Sequence, residues 1–311
     1  MNPKLTELNF PNFLIIGAGK CGTTSVHNYL NQHPDIFMCP IKETNFFSYY
    51  NININDHLDD LNFINHYKSS ITDLNAFSNL FSKALPNQIK GETSSSYFYN
   101  YSALKNIKEL INDPKFIVFL RQPAERLYSR YLHLARENEL PSEKFEDLFE
   151  PNTVWWSRPD LINEGFYFQH LSMYLQHFPA SSFKIYLYED LKNYQLDILQ
   201  DIFRFLDLDD SFVPKTDIEF NQSGFIKSNF VNNLIGGKGV ISKVGKKKFP
   251  KAYKQIKNNY FIRKTLNKIR VKNLIKPKLE LSLRNRITNE IYYSDIKNLA
   301  KTINKNLQHW F

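Results

Sequence analysis

Cysteine is nearly absent: Cys21 and Cys39 are the only two in 311 residues. That excludes a disulfide framework as the main brace of the fold, and neither thiol has neighbours at a zinc-ligand spacing. No apolar run approaches the roughly 20 residues of a membrane-spanning helix. The opening MNPKLTELNFPN lacks a charged-then-apolar leader pattern. The expected location is therefore cytoplasmic, with peripheral attachment to a membrane left open. Repeats and low-complexity tracts are missing as well. Acidic residues vanish between Glu219 and Glu280, a stretch that carries sixteen Lys or Arg. Subtracting those sixteen from the net charge of +9 leaves the rest of the chain at about −7. So uneven a distribution suits an anionic partner such as a nucleotide, a polyanionic glycan or a membrane surface. Nucleic acid would suit the charge too, but no motif for it accompanies the basic stretch, so it is not expected as a partner.

Hydrophobic residues make up 42% and aromatics 15% of the chain, enough for a large packed core. Strand-like runs at 13–16, 89–92, 116–120 and 183–188 alternate with helix-like segments at 23–32, 102–111, 124–137, 166–177 and 196–206. This alternation predicts an α/β fold with a central parallel sheet flanked by helices. Residues 51–88 read as a polar insertion with short helices. Beyond Phe225 the apolar residues Tyr253, Ile256, Tyr260, Ile262, Leu266 and Ile269 follow helical spacing between lysines. A last helix is expected over 281–307, with Ile287, Ile291, Leu299 and Ile303 on its buried face. A single domain over 1–311 is expected, its core at about 12–210 and a helical, basic C-terminal cap at about 225–311.

The stretch FLIIGAGKCGTTSVHNYL is a strand, a glycine loop and a helix start. An NTPase loop would read G-x-x-x-x-G-K-[ST]. Gly17 and Gly22 match its glycines, but Thr23 holds the lysine position, and the lysine is Lys20 inside the loop. The backbone N–H groups of residues 19–24, at a helix N-terminus, can bind a phosphate dianion. Lys20 would sit beside it, where a leaving oxygen develops charge. A second constellation lies in FIVFLRQPAERLYSRYLHLARE. Arg121 emerges from a strand end, where open parallel sheets bind ligands, and Ser129 lies on the following helix. Arginine grips phosphate bidentately and serine adds a hydrogen bond. His133 follows Ser129 by four residues, on the same helical face. Arg126, Arg130 and Arg136 read as a solvated face of that helix. Two anion sites on one sheet would suit a bisphosphorylated nucleotide.

These segments, GAGKCGTTS and RQPAERLYSRY, resemble the sulfotransferase family that uses 3′-phosphoadenosine 5′-phosphosulfate, a P-loop-type fold. HPDIFMCPIKETNFFS, GETSSSY, EGFYFQHLSMYLQHFP, KIYLYEDL and IFRFLDL are similar to later segments of its bacterial members and of its carbohydrate and heparan sulfate branch. The resemblance covers about residues 12–210, with a weaker match around FNQSG and LQHWF. It implies that Gly19, Lys20, Cys21, Gly22, Thr23, Thr24 and Ser25 hold the 5′-phosphosulfate, and that Arg121 and Ser129 hold the 3′-phosphate. It further implies Glu43, in KETNFF, as the catalytic base and His133 as a second catalytic candidate. No metal is implied. The expected acceptor is a carbohydrate or glycolipid, sulfated at a hydroxyl, with an amine as the alternative.

The chain departs from the animal heparan enzymes in three ways. Thr93 and Asn45 stand where those enzymes often carry lysine and histidine, and their paired cysteines near the nucleotide are missing. GKKKFP is the candidate replacement for that loop, with Lys247 and Lys248 near the 3′-phosphate. Two other readings stay open at this point. One is a P-loop kinase, disfavoured by Thr23 and by the lack of an acidic magnesium motif after a strand. The other is a basic module for polyanions or membranes, which leaves the first two-thirds of the chain without a purpose.

Overall fold

The run Phe13–Gly17 is buried along its whole length, as a central parallel strand must be when helices cover both faces of its sheet. The computed structural model describes residues 8–137, 139–140, 144–216, 225–228, 260–275 and 277–311. Its elements are β1 (Phe13–Gly17), α1 (Thr23–Leu30), β2 (Ile36–Met38), α2 (Phe46–Tyr49), α3 (Leu61–Ser69), α4 (Leu74–Asn79), β3 (Ile89–Thr93), α5 (Tyr101–Leu110) and β4 (Lys115–Leu120). Then follow α6 (Pro123–Glu137), α7 (Val154–Ser157), α8 (Tyr167–Leu175), β5 (Phe183–Leu187), α9 (Tyr188–Asn193) and α10 (Gln195–Phe205).

The five strands form one parallel sheet in the order β2-β3-β1-β4-β5. Phe13 faces Gly91 on one side and Lys115 on the other, so β1 is the middle strand. The chain runs outward from β1 to one edge and then returns to fill the other. That reversal opens a crevice at the carboxyl ends of β1 and β4, the place where such sheets take ligands. Both expected loops, after Gly17 and after Leu120, leave the sheet there. The four expected strands are present, each within a residue of its expected ends. β2 was not anticipated. It is three residues long, and only Ile36 and Met38 on one face are fully buried.

The C-terminal part departs from a single helix over 281–307. A helix at Leu281–Ile287 passes through a π-turn at Thr288–Tyr292 into a helix at Tyr293–Thr302. Thr288 explains the break. Its buried hydroxyl donates to the Arg284 carbonyl at 2.7 Å and accepts from Gln122 Nε2 at 2.6 Å, so it competes with the main-chain ladder. Asn304, with a φ of 49°, takes the left-handed conformation that ends helices. Ile287 and Leu299 are buried as expected, while Ile291 and Ile303 pack on the core edge. The Asp295 carboxylate accepts the Phe168 and Gln169 N–H groups at 3.0 and 3.2 Å, fixing this region to the start of α8. A helix at Tyr260–Lys272 and a two-residue strand pair, Phe225–Ile226 with Leu274–Ile275, are what is described of the basic stretch. Lys246, Lys247 and Lys248 lie outside the described residues.

Candidate active site

Between β1 and α1 the loop turns through two left-handed residues, Lys20 (φ 68°) and Gly22 (φ 89°). Gly22 could not be replaced cheaply: a Cβ there would lie 2.8 Å from Leu191 Cδ2 and 3.3 Å from the Tyr188 ring. Thr23, the first residue of α1, has an N–H with no acceptor inside the helix. Gly19 differs from its expected role. Its N–H donates to Glu164 Oε1 at 2.7 Å, so it ties the back of the loop to the core. The Cys21 thiol is buried and donates to the Gly19 carbonyl at 3.6 Å, and burial pushes it up to about 12.

The tie continues inward through an arginine. Arg126 Nη1 donates to Glu164 Oε2 at 2.8 Å and to the Asp160 carbonyl at 3.3 Å, and Nη2 reaches the Leu161 carbonyl. Arg126 is fully buried. Arg130 binds the buried Asp160 carboxylate through Nε at 2.8 Å, which Arg158 also holds at 2.7 Å. Arg136 Nη2 donates to His133 Nδ1 at 2.8 Å. The expectation of a solvated face for these three arginines is thus corrected. The carboxylates that let Arg126 and Arg130 turn inward come from RPDLINEG, 30–38 residues away.

The charges of several cations act on Lys20. Burial, and then the charges of Arg130, Arg136, Lys42 and Arg121, push its ammonium down to about 7. Such a site favours an anion, because the free cluster is short of negative charge. His133 belongs to the same group: burial, Lys20, Arg130 and Arg136 push its imidazole down to about 2. Because Arg136 can only donate, His133 Nδ1 is the acceptor and Nε2 carries the ring proton. Arg121 packs over the Tyr188 ring at 5.0 Å and donates to Glu125 at 3.0 and 3.3 Å. Ser129 lies buried two helical turns further along α6.

On the other side of the crevice, Glu43 stands in a left-handed turn with a φ of 57°. Its N–H donates to the Thr93 carbonyl at 2.9 Å. Oε2 accepts from the Ser95 N–H at 2.8 Å and the Ser95 hydroxyl at 3.2 Å, while Oε1 pairs with Lys42. Burial raises this carboxyl, but Lys42 and Ser95 outweigh it and hold the group below the usual carboxylate range. Its side chain keeps 37% of its surface exposed, enough for a substrate to reach.

The family model described as the sulfotransferase domain matches residues 10–281. The chain belongs to this family. It is 27% identical over 206 residues to a bifunctional heparan sulfate N-deacetylase/N-sulfotransferase of Drosophila melanogaster, covering 64% of this chain and 20% of that protein. It is 30% identical over 178 residues to heparan sulfate glucosamine 3-O-sulfotransferase 6 of Homo sapiens, covering 56% and 45%. The chain spans a fifth to about a quarter of the length of the bifunctional relatives it matches. A sulfotransferase crystal structure from Alicyclobacillus acidocaldarius superposes with a TM-score of 0.69 at 24% identity, over 97% of this chain and 99% of that one. That likeness bears on the fold.

Within this sulfotransferase domain, three features escaped the sequence reading. His27 Nδ1 meets Thr93 Oγ1 at 3.0 Å, joining α1 to β3, whose Thr93 carbonyl also accepts from the Glu43 N–H. Burial and Lys42 push His27 down to about 4, with Glu43 opposing. Glu92 is fully buried, and its Oε1 accepts from the Thr44 and Ser94 hydroxyls at 2.8 and 2.7 Å, whereas Oε2 has no partner. Burial lifts this carboxyl to about 7 against those two hydrogen bonds. Glu164 is the third. Its only signal was an acid near a glycine, which is too common to single out. Among the described residues no cluster of His, Cys, Asp or Glu has a metal-binding arrangement, and no helix is long and apolar enough to cross a membrane.

Proposed function

We propose that the protein transfers a sulfuryl group from 3′-phosphoadenosine 5′-phosphosulfate to a hydroxyl of an acceptor. The observation that carries this reading is the lysine inside the loop, acted on by the charges of Arg130, Arg136, Lys42 and Arg121. The residues present fit the donor. Lys20 and the start of α1, with Thr23, Thr24 and Ser25, suit the 5′-phosphosulfate. Arg121 and Ser129 suit the 3′-phosphate. The donor supplies the activated sulfur. Glu43 takes the acceptor proton as the acceptor oxygen forms its bond to sulfur. The bond from sulfur to the bridging phosphate oxygen breaks, and its electron pair stays on that oxygen. Lys20 neutralises the charge that grows there. His133, with its proton on Nε2, acts as a hydrogen-bond donor to the sulfuryl oxygens. Lys42 moves from Glu43 toward the arriving anion, which leaves the carboxylate to act as base. Adenosine 3′,5′-bisphosphate and the sulfated acceptor leave.

The acceptor we favour is a carbohydrate or glycolipid. The names of the heparan sulfate relatives support this, as does carbohydrate sulfotransferase 15 of Homo sapiens, 28% identical over 247 residues. Calorimetry with adenosine 3′,5′-bisphosphate, ADP and ATP tests the donor side. The bisphosphate should bind most tightly, with no effect of magnesium. Equal affinity for ATP, or a magnesium requirement, would sink the reading.

A further inference from the structure

Arg121 has no rigid seat of its own. Its guanidinium is placed by the Glu125 carboxylate and by the Tyr188 ring. One distant segment, 307–311, contacts the residue next to Tyr188, the residue next to Arg121, and Arg284, which approaches Glu125. Glu189, adjacent to Tyr188, accepts from Trp310 Nε1 at 2.6 Å and meets His309 Nε2 at 2.8 Å. Gln122, adjacent to Arg121, donates from Nε2 to the Trp310 carbonyl at 3.1 Å, and its side-chain Oε1 accepts from the Glu125 N–H at 2.8 Å. Arg284 donates to the His309 carbonyl at 3.2 Å and lies 3.7 Å from Glu125 Oε1. Trp310 is buried, so its N–H needs the acceptor that Glu189 supplies.

We infer that the Leu307–Phe311 segment is a positioning latch for the 3′-phosphate half of the donor site, with Trp310 as its anchor and Glu189, Gln122 and Arg284 as its three points of grip. This rests on Arg121 being the 3′-phosphate ligand. The phosphate must displace Glu125 from Arg121. Arg284 then holds the displaced carboxylate neutralised, so it does not repel the incoming dianion. Glu189 keeps Tyr188 under the guanidinium during that exchange. Trp310, Glu189 and Arg284 are positioning residues; they touch neither substrate nor the reacting atoms.

The test compares the affinities of adenosine 3′,5′-bisphosphate and adenosine 5′-monophosphate by calorimetry, in the parent and in Trp310→Phe, which keeps an aromatic side chain of smaller size and removes the N–H. The preference for the bisphosphate should fall by about three- to tenfold, with monophosphate affinity unchanged. Arg284→Gln is a second variant that leaves the indole in place, and it should move the ratio in the same direction. Arg121→Ala should remove about 10- to 150-fold of the preference, and adding Trp310→Phe to it should cost nothing more. An equal loss for both nucleotides, or an unchanged ratio in both latch variants, would overturn the latch while leaving Arg121 in place. An unchanged ratio in Arg121→Ala would overturn the assignment of Arg121, and the latch with it.

Discussion

The charge state of Lys20 should be set by the donor. In the free protein, burial and four neighbouring cations hold its ammonium at about 7. A bound phosphate dianion supplies the missing counter-charge and should return it toward its ordinary value of about 10.4. The sign follows directly. The charged form is the one that binds, so binding takes up a proton and affinity falls as pH rises above about 7. With those two values, affinity for adenosine 3′,5′-bisphosphate should drop about 25-fold between about pH 8 and pH 9.5. Neighbouring groups do not confuse this window. His27 and His133 are held at about 4 and about 2, Cys21 and Tyr49 at about 12, and Glu92, at about 7, is already ionised. Phosphate itself is fully dianionic there, its second pKa being about 6. Calorimetry in two buffers of different ionisation enthalpy reads both the affinity and the proton uptake. Lys20→Arg, charged at every pH used, should flatten the slope. A parent affinity that stays flat across the window, with no proton taken up, would refute the reasoning.

Glu43→Gln should lower kcat by about 10²–10⁴-fold, with affinity for adenosine 3′,5′-bisphosphate nearly unchanged; full turnover on a true acceptor would remove Glu43 as the base. His133→Ala should slow transfer without changing the shape of the kcat profile between about pH 5 and 8, since the parent imidazole is neutral throughout. An acid limb that disappears in that variant would return His133 to the role of base. Arg126→Met leaves Glu164 buried without its cation and should cost about 3–5 kcal/mol of stability, read from a urea midpoint. A midpoint that does not move would mean the pair is not what braces the Gly19 loop.

The parts of the site that lie within one stretch of chain were legible in the sequence. A buried strand, a loop with Lys20 in it and the start of α1 occupy consecutive residues, so their order carries their geometry. The same holds for β4, Arg121 and the helix that follows. What was not legible depends on partners far apart in sequence. Periodicity placed Arg126 and Arg130 on α6 but could not say that Asp160 and Glu164 would fold over them, and unpaired arginines are correctly read as solvated. The single helix expected over 281–307 failed for a similar reason. Thr288 is an ordinary helix residue until its hydroxyl is drawn to Gln122, which only the folded sheet brings near. β2 was invisible because three residues give too little alternation to count.

This division has a consequence for the chemistry. The place of Lys20 in the loop could be read from the sequence, but its charge could not. Burial first, and then Arg130 from α6, Arg136 one turn past His133, Lys42 from the Glu43 loop and Arg121 before α6, push the Lys20 ammonium down to about 7. Asp160 gives Arg130 a partner, and His133 and Glu137 give Arg136 partners. A substitution at Asp160, which never meets the loop, should therefore alter the protonation of Lys20 as surely as one beside it. Donor binding and base position are linked in the same way, since Lys42 both raises the demand for an anion at Lys20 and holds the carboxylate of Glu43. An anion that draws Lys42 away satisfies the first and releases the second. On the mechanism proposed above, arrival of the donor would be the event that frees Glu43.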